Sequence, residues 1–199
     1  MIMKLFSKAP TSVPDIYMVG YSLQDPKGAL MLFGHAYFEA AEAYFTKMQA
    51  GLQRRARYAE DMVFPALFLF RHAVELFLKA IILYSRRIKE FDDPWPKKLL
   101  EMHSLKDLYR MAKESWPGSS GMISKEAEEV LLQLHEADER SISFRYPFDK
   151  DYKPFWNHTL EGNTADLWNK LKPLGEQLSG QLDGLDVWLS EQKANRAGP

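Results

Sequence analysis

The chain contains no cysteine among its 199 residues. That absence excludes disulfide bonds, thiolate catalysis and cysteine-based zinc sites, and it is typical of a reducing compartment. A chain of this length can bury roughly 70% of its unfolded surface, so it needs no covalent cross-link to fold. The sequence therefore predicts one self-supporting domain with some length left for extensions.

Strong net charge and an uninterrupted apolar run are also missing. The formal net charge is -1 at pH 7, so a polyanion would have to bind to a local patch. The opening residues, MIMKLFSKAP, lack the apolar core and the cleavage site of a secretory signal. The most apolar stretch is interrupted by Arg71, Glu75 and Lys79, each of which is costly at the centre of a bilayer. We therefore expect a cytoplasmic protein that has no membrane span.

Familiar catalytic and metal-binding motifs are absent as well. None of the five histidines stands three residues after a glutamate, which is the E-x-x-H spacing of di-iron helical bundles. The sequence contains neither H-E-x-x-H nor a glycine-rich phosphate loop that follows a strand. It therefore predicts no metal and no cofactor, and it leaves open whether the protein is an enzyme.

Helical periodicity is the main pattern that is present. Apolar residues recur at steps of three and four along five stretches, and no strand-like alternation is found. The predicted helices cover 27–58, 64–87, 104–114, 124–143 and 164–190. This pattern predicts an all-α, up-down bundle of about five main helices. The expected segments are an irregular N-terminal arm over 1–26, one bundle domain over 27–192 and a frayed tail over 193–199.

The second predicted helix is apolar nearly all round, which predicts the central helix of the bundle. Asp61 is placed as its N-cap, and Pro65 falls in the first turn, where a missing N–H is tolerated. Ser124 is placed in the same way as the N-cap of the fourth helix.

A polar stripe interrupts the central helix. His72, Glu75, Lys79 and Arg86 follow one another at steps of three, four and seven, and Arg71 stands four residues before Glu75. One interpretation is a set of i,i+4 pairs on a solvated face. The other is the lining of a groove or a subunit interface, because a charge inside an apolar helix must be paired or must face water.

A second polar group follows the fourth helix. Asp138, Ser141 and Arg145 recur at helical spacing. If this helix packs beside the central one, we expect Arg145 to meet Glu75 and Asp138 to meet Lys79. Such a polar layer is either a salt-bridge network that fixes helix register or part of a functional site.

Three short motifs occur in a fixed order along the chain. They are A-V-E-L-F-L-K-A-I-I over 73–82, H-S-L-K-D-L over 103–108 and F-R-Y-P-F-D over 144–149. Their order and spacing resemble those of HEPN domains, the higher eukaryotes and prokaryotes nucleotide-binding family. The resemblance covers about 27–151.

This resemblance implies an all-α bundle that forms a homodimer with a polar cleft at its interface. HEPN members include RNases of toxin–antitoxin, antiphage and CRISPR systems, partners of small nucleotidyltransferases, and non-catalytic nucleotide or RNA binders. Glu75 and Lys79 carry over from the first motif, His103 from the second, and Arg145 and Tyr146 from the third.

The nuclease members carry an R-x(4–6)-H pair, and no arginine stands at that distance before any histidine here. We therefore expect a nucleotide- or RNA-binding protein that lacks the usual nuclease pair. The alternatives are a protein partner of a nucleotidyltransferase or antitoxin, and a divergent RNase with Arg145 as the phosphate clamp. The candidate ligand-binding residues are Glu75, Lys79, Arg145, Tyr146 and Arg71, and the candidate catalytic residues are His103 and His72.

Overall fold

Five α-helices form the described part of the protein. The structure, a computed structural model, describes residues 25–54, 60–88, 98–155 and 162–197. The helices are α1 (Pro26–Gln53), α2 (Val63–Ile88), α3 (Leu105–Ser115), α4 (Lys125–Ala137) and α5 (Thr164–Ala197). Within these ranges no strand forms, and the only β-type pairing is an isolated bridge between Phe148 and Pro154. The predicted all-α bundle of five main helices is confirmed.

Serine caps begin two of the helices. The Ser104 hydroxyl accepts a hydrogen bond from the Asp107 backbone N–H at 3.3 Å, and α3 follows it. The Ser124 hydroxyl accepts from the Ala127 N–H at 3.2 Å, which confirms the predicted cap of α4. The predicted cap Asp61 is wrong, because a 3-10 turn over Glu60–Met62 contains it and α2 begins at Val63. Short 3-10 turns are common where an α-helix starts.

Three predicted helix ends differ from the observed ones. The first helix ends at Gln53 rather than at 58, and residues 55–59 lie outside the described residues, as does most of the predicted N-terminal arm. The fourth helix ends at Ala137 rather than at 143. The last helix continues to Ala197 through most of the predicted tail, and it contains Pro173.

Helix α2 lies at the centre of the bundle. Every residue over 73–85 is buried, because α1, α3 and α5 all pack against this helix. Helix α4 packs against α3 and α5. Gly34 allows α1 to approach closely, since a Cβ atom there would lie 2.6 Å from Cδ1 of Phe77. None of the described helices combines the length and apolar character that crossing a membrane requires.

Candidate functional site

Four charged side chains lie inside the bundle and form the buried charge cluster. Their exposures are 0% for Arg71, 1% for Glu75, 3% for Lys79 and 3% for Asp138. Steps of four along α2 place the first three on one face of the helix. Buried charges are stable only when they are paired, and here two cations face two carboxylates. The solvated-face interpretation of these three α2 residues is therefore wrong.

Glu75 is the centre of the buried charge cluster. Its Oε2 accepts a hydrogen bond from Nη1 of Arg71 at 3.0 Å, and its Oε1 accepts one from Nζ of Lys79 at 2.8 Å. The same Oε1 lies 3.0 Å from Nδ1 of His103. Burial by itself raises the pKa of the Glu75 carboxyl, but Lys79 and His103 outweigh that effect and lower the pKa below its usual value. Glu75 is therefore held as a carboxylate with three cationic or polar donors.

Arg71 connects three separate segments of the chain. Its Nε donates to the backbone carbonyl of Asp138 at 3.0 Å, and its Nη2 donates to the backbone carbonyl of His103 at 2.6 Å. Lys79 adds a third hydrogen bond to a backbone carbonyl, because its Nζ donates to the carbonyl of Leu100 at 3.1 Å. Helix α2 thus fixes both the segment that leads into α3 and the chain that leaves α4.

The Asp138 side chain explains why α4 ends early. Its Oδ1 accepts from the backbone N–H groups of Ile142 and Ser143 at 2.6 and 2.9 Å. An aspartate that binds nearby backbone groups in this way competes with the helical pattern. Ser141 then adopts a left-handed conformation with φ of 57°, which takes the chain out of the helix direction.

The two cross-helix pairs predicted from the sequence are not formed. Glu75 pairs with Arg71 and Lys79 from its own helix rather than with Arg145. Asp138 faces Arg71, whose Nε lies 3.5 Å from its Oδ2, rather than Lys79. The physical reason is that i,i+4 partners already satisfy Glu75, and that Arg145 follows the end of α4 instead of extending its face.

Arg145 lies outside the cluster, on the surface. Its Nε donates to the carbonyl of Ser141 at 2.6 Å. The guanidinium carbon lies 5.7 Å from the ring centroid of Phe68 and 5.7 Å from that of Tyr146. These distances are typical of cation–π contacts. Among the described residues, its two Nη groups have no hydrogen-bond partner.

His72 continues this surface toward α1. Its ring stacks on that of Phe68 at 5.9 Å between centroids and meets Tyr37 edge-on at 4.5 Å. Burial lowers the pKa of His72, the charge of Glu75 raises it, and three nearby cations lower it further. Those cations are Lys79, Arg71 and Arg145. We call the surface set the outer row, and its members are Tyr37, His72, Phe68, Arg145 and Tyr146.

His103 links the buried charge cluster to solvent. Its side chain is 53% exposed, while its Nδ1 is held by Glu75 and its carbonyl by Arg71. Because the Glu75 carboxylate accepts hydrogen bonds, Nδ1 carries the proton of this contact. In the described part of the chain Nε2 has no partner, so it is free to bind a ligand or to exchange a proton.

The structure joins most of the predicted site residues but divides them into two layers. Arg71, Glu75, Lys79 and His103 are in direct contact, whereas Arg145 and Tyr146 belong to the outer row. The sequence did not identify Phe68 or Tyr37 as site residues. Phe68 stands four residues before His72, so helical spacing could have placed the two side chains together. No sequence signal connects Tyr37 to His72.

No metal site accompanies these residues. Within the described ranges, no three His, Asp or Glu side chains are placed to hold a metal ion together. No family model, no curated protein and no solved structure matches this chain.

Proposed function

We propose that this protein is a HEPN-like bundle that binds a nucleotide or an RNA segment at the outer row. The observation that carries the proposal is that residues of three sequence-distant motifs lie beside the first half of α2, where His103 contacts Glu75 and Arg145 contacts Phe68. The helix motif contributes Glu75, the second motif contributes His103, and the third contributes Arg145 and Tyr146. A meeting of this kind is expected when motifs serve one site.

Arg145 is suited to bind a phosphate group. Its Nε is fixed by the Ser141 carbonyl and its guanidinium lies over the Phe68 ring, so little side-chain freedom remains to be lost on binding. The two Nη groups then present a planar fork of donors, which matches two oxygens of a phosphate. Tyr146 is 56% exposed beside it and provides a ring on which a base can stack.

The buried charge cluster supports this surface without touching the ligand. Arg71 and Lys79 are saturated by Glu75 and by backbone carbonyls, so they hold neighbouring segments in place. His103 is not part of the cluster but contacts Glu75 and reaches solvent, and its Nε2 can bind a phosphate oxygen or a ribose hydroxyl. A homodimer and a nucleotidyltransferase as partner are proposed with this function on the resemblance alone. A cytoplasmic location is proposed because the sequence contains no cysteine and opens without the pattern of a secretory signal.

Equilibrium binding tests the proposal. Fluorescently labelled nucleotides and a short single-stranded RNA are titrated with wild-type protein and with Arg145→Ala. We expect binding that the substitution weakens by about tenfold or more, because a hydrogen bond to a charged group contributes roughly 1.5–3 kcal/mol. Arg87→Ala is the matched control, since Arg87 is exposed and lies roughly 28 Å along α2 from Phe68.

Two results would contradict the proposed function. One is that the wild-type protein binds neither nucleotides nor RNA. The other is that Arg145→Ala binds as tightly as Arg87→Ala.

Cleavage of RNA is a second candidate, and the Glu75–His103 contact favours it. A carboxylate that fixes Nδ1 leaves Nε2 as the proton acceptor, which is the arrangement that general-base catalysis needs. Incubation of total RNA at neutral pH with wild-type protein and with His103→Ala tests it. Cleavage by the wild type alone supports this candidate, and equal cleavage by both proteins, or by neither, rejects it.

A further inference from the structure

We propose that residues 146–155, here called the aromatic loop, bind unpaired bases, so that the ligand is a single-stranded nucleic acid rather than a free nucleotide or a duplex. This inference rests on the proposed function and specifies its ligand. Seven aromatic side chains are exposed in the part of the chain that the structure describes, and four of them lie in this loop. Their exposures are 56% for Tyr146, 49% for Phe148, 86% for Tyr152 and 37% for Phe155.

Exposed cations alternate with these rings. Arg145 precedes Tyr146, Lys150 stands between Phe148 and Tyr152, and Lys153 follows Tyr152. The segment 145–155 has three cations against two carboxylates, whereas the whole chain has a net charge of -1. Rings for stacking and cations for the backbone are the two elements of sequence-tolerant single-strand binding.

One of the two carboxylates is turned toward its own backbone. Oδ1 of Asp149 accepts from the N–H groups of Asp151 and Lys153 at 2.8 and 2.9 Å. The backbone N–H of Asp149 also donates to the Lys153 carbonyl at 2.9 Å, and that of Phe155 donates to the Pro147 carbonyl at 3.2 Å. The loop is therefore closed by its own hydrogen bonds before any ligand arrives, and this lowers the ordering cost of binding.

The aromatic loop is continuous with the outer row. Tyr146 belongs to both, and the Arg145 guanidinium carbon lies 5.7 Å from the ring centroids of Tyr146 and Phe68. A phosphate held by Arg145 therefore places the adjoining nucleotides over the loop. Stacking requires exposed base faces, which a single strand offers and a duplex hides.

Fluorescence anisotropy with strands of about ten nucleotides tests the inference, because single-strand sites in this size range are common. The arms are an RNA strand, a DNA strand of the same sequence, the RNA annealed to its complement, and uridine monophosphate. We expect either single strand to bind more tightly than the duplex and the mononucleotide, and the tighter of the two strands identifies the preferred backbone.

Two substitutions at one position separate stacking from other effects. Tyr152→Ala should weaken single-strand binding by about fivefold or more, which is the usual effect of removing one stacked ring. Tyr152→Phe keeps the ring and should bind like wild type. Trp188→Ala is the matched control, because Trp188 is also an exposed aromatic residue, with an exposure of 41%. It lies far from the outer row: the nearby Asp186 accepts a hydrogen bond from Tyr84, which is roughly 24 Å along α2 from Phe68.

The outcomes distinguish this inference from the proposed function. If RNA binding depends on Arg145 but not on Tyr152, or if the duplex binds as tightly as the strand, the aromatic loop inference is overturned and the proposed function stands. If no nucleotide and no strand binds, both are overturned. If Tyr152→Ala abolishes a protein complex and leaves RNA affinity unchanged, the loop is a protein-docking surface and its assignment to nucleic acid is overturned.

Discussion

Two neighbouring regions of this bundle reverse the usual distribution of residues between core and surface. The buried charge cluster places four side chains of charged residue types inside, where apolar residues are normally found. The aromatic loop places four aromatic rings outside, although aromatic residues usually contribute their area to the core. The chain that leaves α4 connects the two regions, because Arg71 holds the carbonyl of Asp138 and the aromatic loop follows in sequence.

The contrast suggests different roles for the two regions: the buried charge cluster holds segments of the chain in place, and the aromatic loop is exposed for contact with a ligand. Inside, each cation already has its carboxylate and carbonyl partners, so a ligand could recruit these groups only by breaking existing bonds. Outside, hydrogen bonds within the loop hold its backbone, and the rings remain exposed. Substitutions inside should therefore cost stability, whereas substitutions outside should cost ligand binding.

The largest effect is expected for Glu75→Ala. The substitution leaves Arg71 and Lys79 buried without their shared carboxylate, and removal of one partner of a buried ion pair typically costs about 3–5 kcal/mol. The free energy of unfolding, measured by urea titration, should fall by that amount. Glu129→Ala is the control on an exposed helix position and should stay within about 0.5 kcal/mol of wild type. A loss as small as that of the control would show that the cluster does not stabilise the bundle.

A smaller loss is expected for Asp138→Ala. It removes the acceptor of two backbone N–H groups, those of Ile142 and Ser143, and it removes the carboxylate that faces Arg71. We expect the free energy of unfolding to fall by about 2–3 kcal/mol, because two partly buried N–H donors lose their acceptor and Arg71 loses a facing carboxylate. Asp138→Asn keeps an acceptor oxygen and should lose about 1 kcal/mol. If both variants lose the same amount, the charge facing Arg71 matters and the backbone bonds do not.

Acid should lower the free energy of unfolding, first through His72 of the outer row and then through Glu75 of the buried charge cluster. The pKa of His72 is lowered in the folded state from its ordinary value of 6.5, mainly because the ring is buried. A lowered pKa means that the unfolded chain binds the proton more readily, so stability is complete above 6.5 and falls as pH drops through the folded pKa. Glu75 adds a second loss below its ordinary value of 4.5, because its pKa is lowered too.

Urea titrations at several pH values from neutral to below 4.5 measure this effect. His72→Gln removes the first group, so its stability should change less than that of wild type as the pH falls below 6.5. The variant and the wild type should show parallel losses below 4.5, where Glu75 titrates. Identical pH profiles throughout would mean that His72 is not the titrating group.

Residue spacing in the sequence predicted the helices and a polar layer within the bundle. It did not predict which residues the side chains of that layer contact. Apolar steps of three and four identified α2 as central, and Ser124 identified the start of α4. The end of α4 was missed because the Asp138 side chain binds backbone groups four and five residues ahead, a contact that helical spacing does not reveal. Because α4 ends at Ala137, Arg145 does not continue the face of that helix and does not contact Glu75.

The backbone carbonyls in the site could not have been predicted at all. Leu100 and His103 accept hydrogen bonds from Lys79 and Arg71 through main-chain oxygens, which every residue type possesses. The contact between Tyr37 and His72 depends likewise on how α1 lies against α2, and it has no local signal. Sequence spacing therefore identified the charged residues of α2 that share one face, while tertiary packing decided which of the candidate residues face inward.

The smallest change in stability, with a large change in binding, is expected for Tyr152→Gly. Tyr152 has φ of 59°, a left-handed conformation that costs a residue with a Cβ roughly 1 kcal/mol and costs glycine little. Urea unfolding should therefore give a stability equal to wild type or up to about 1 kcal/mol higher, although the ring that we assign to base stacking is gone. Tyr44→Gly is the matched control, because Tyr44 is also exposed but lies within α1, where glycine costs up to about 1 kcal/mol. A loss in Tyr152→Gly as large as that in Tyr44→Gly would mean that the ring stabilises the fold, and the division between an inner positioning layer and an outer contact layer would fail.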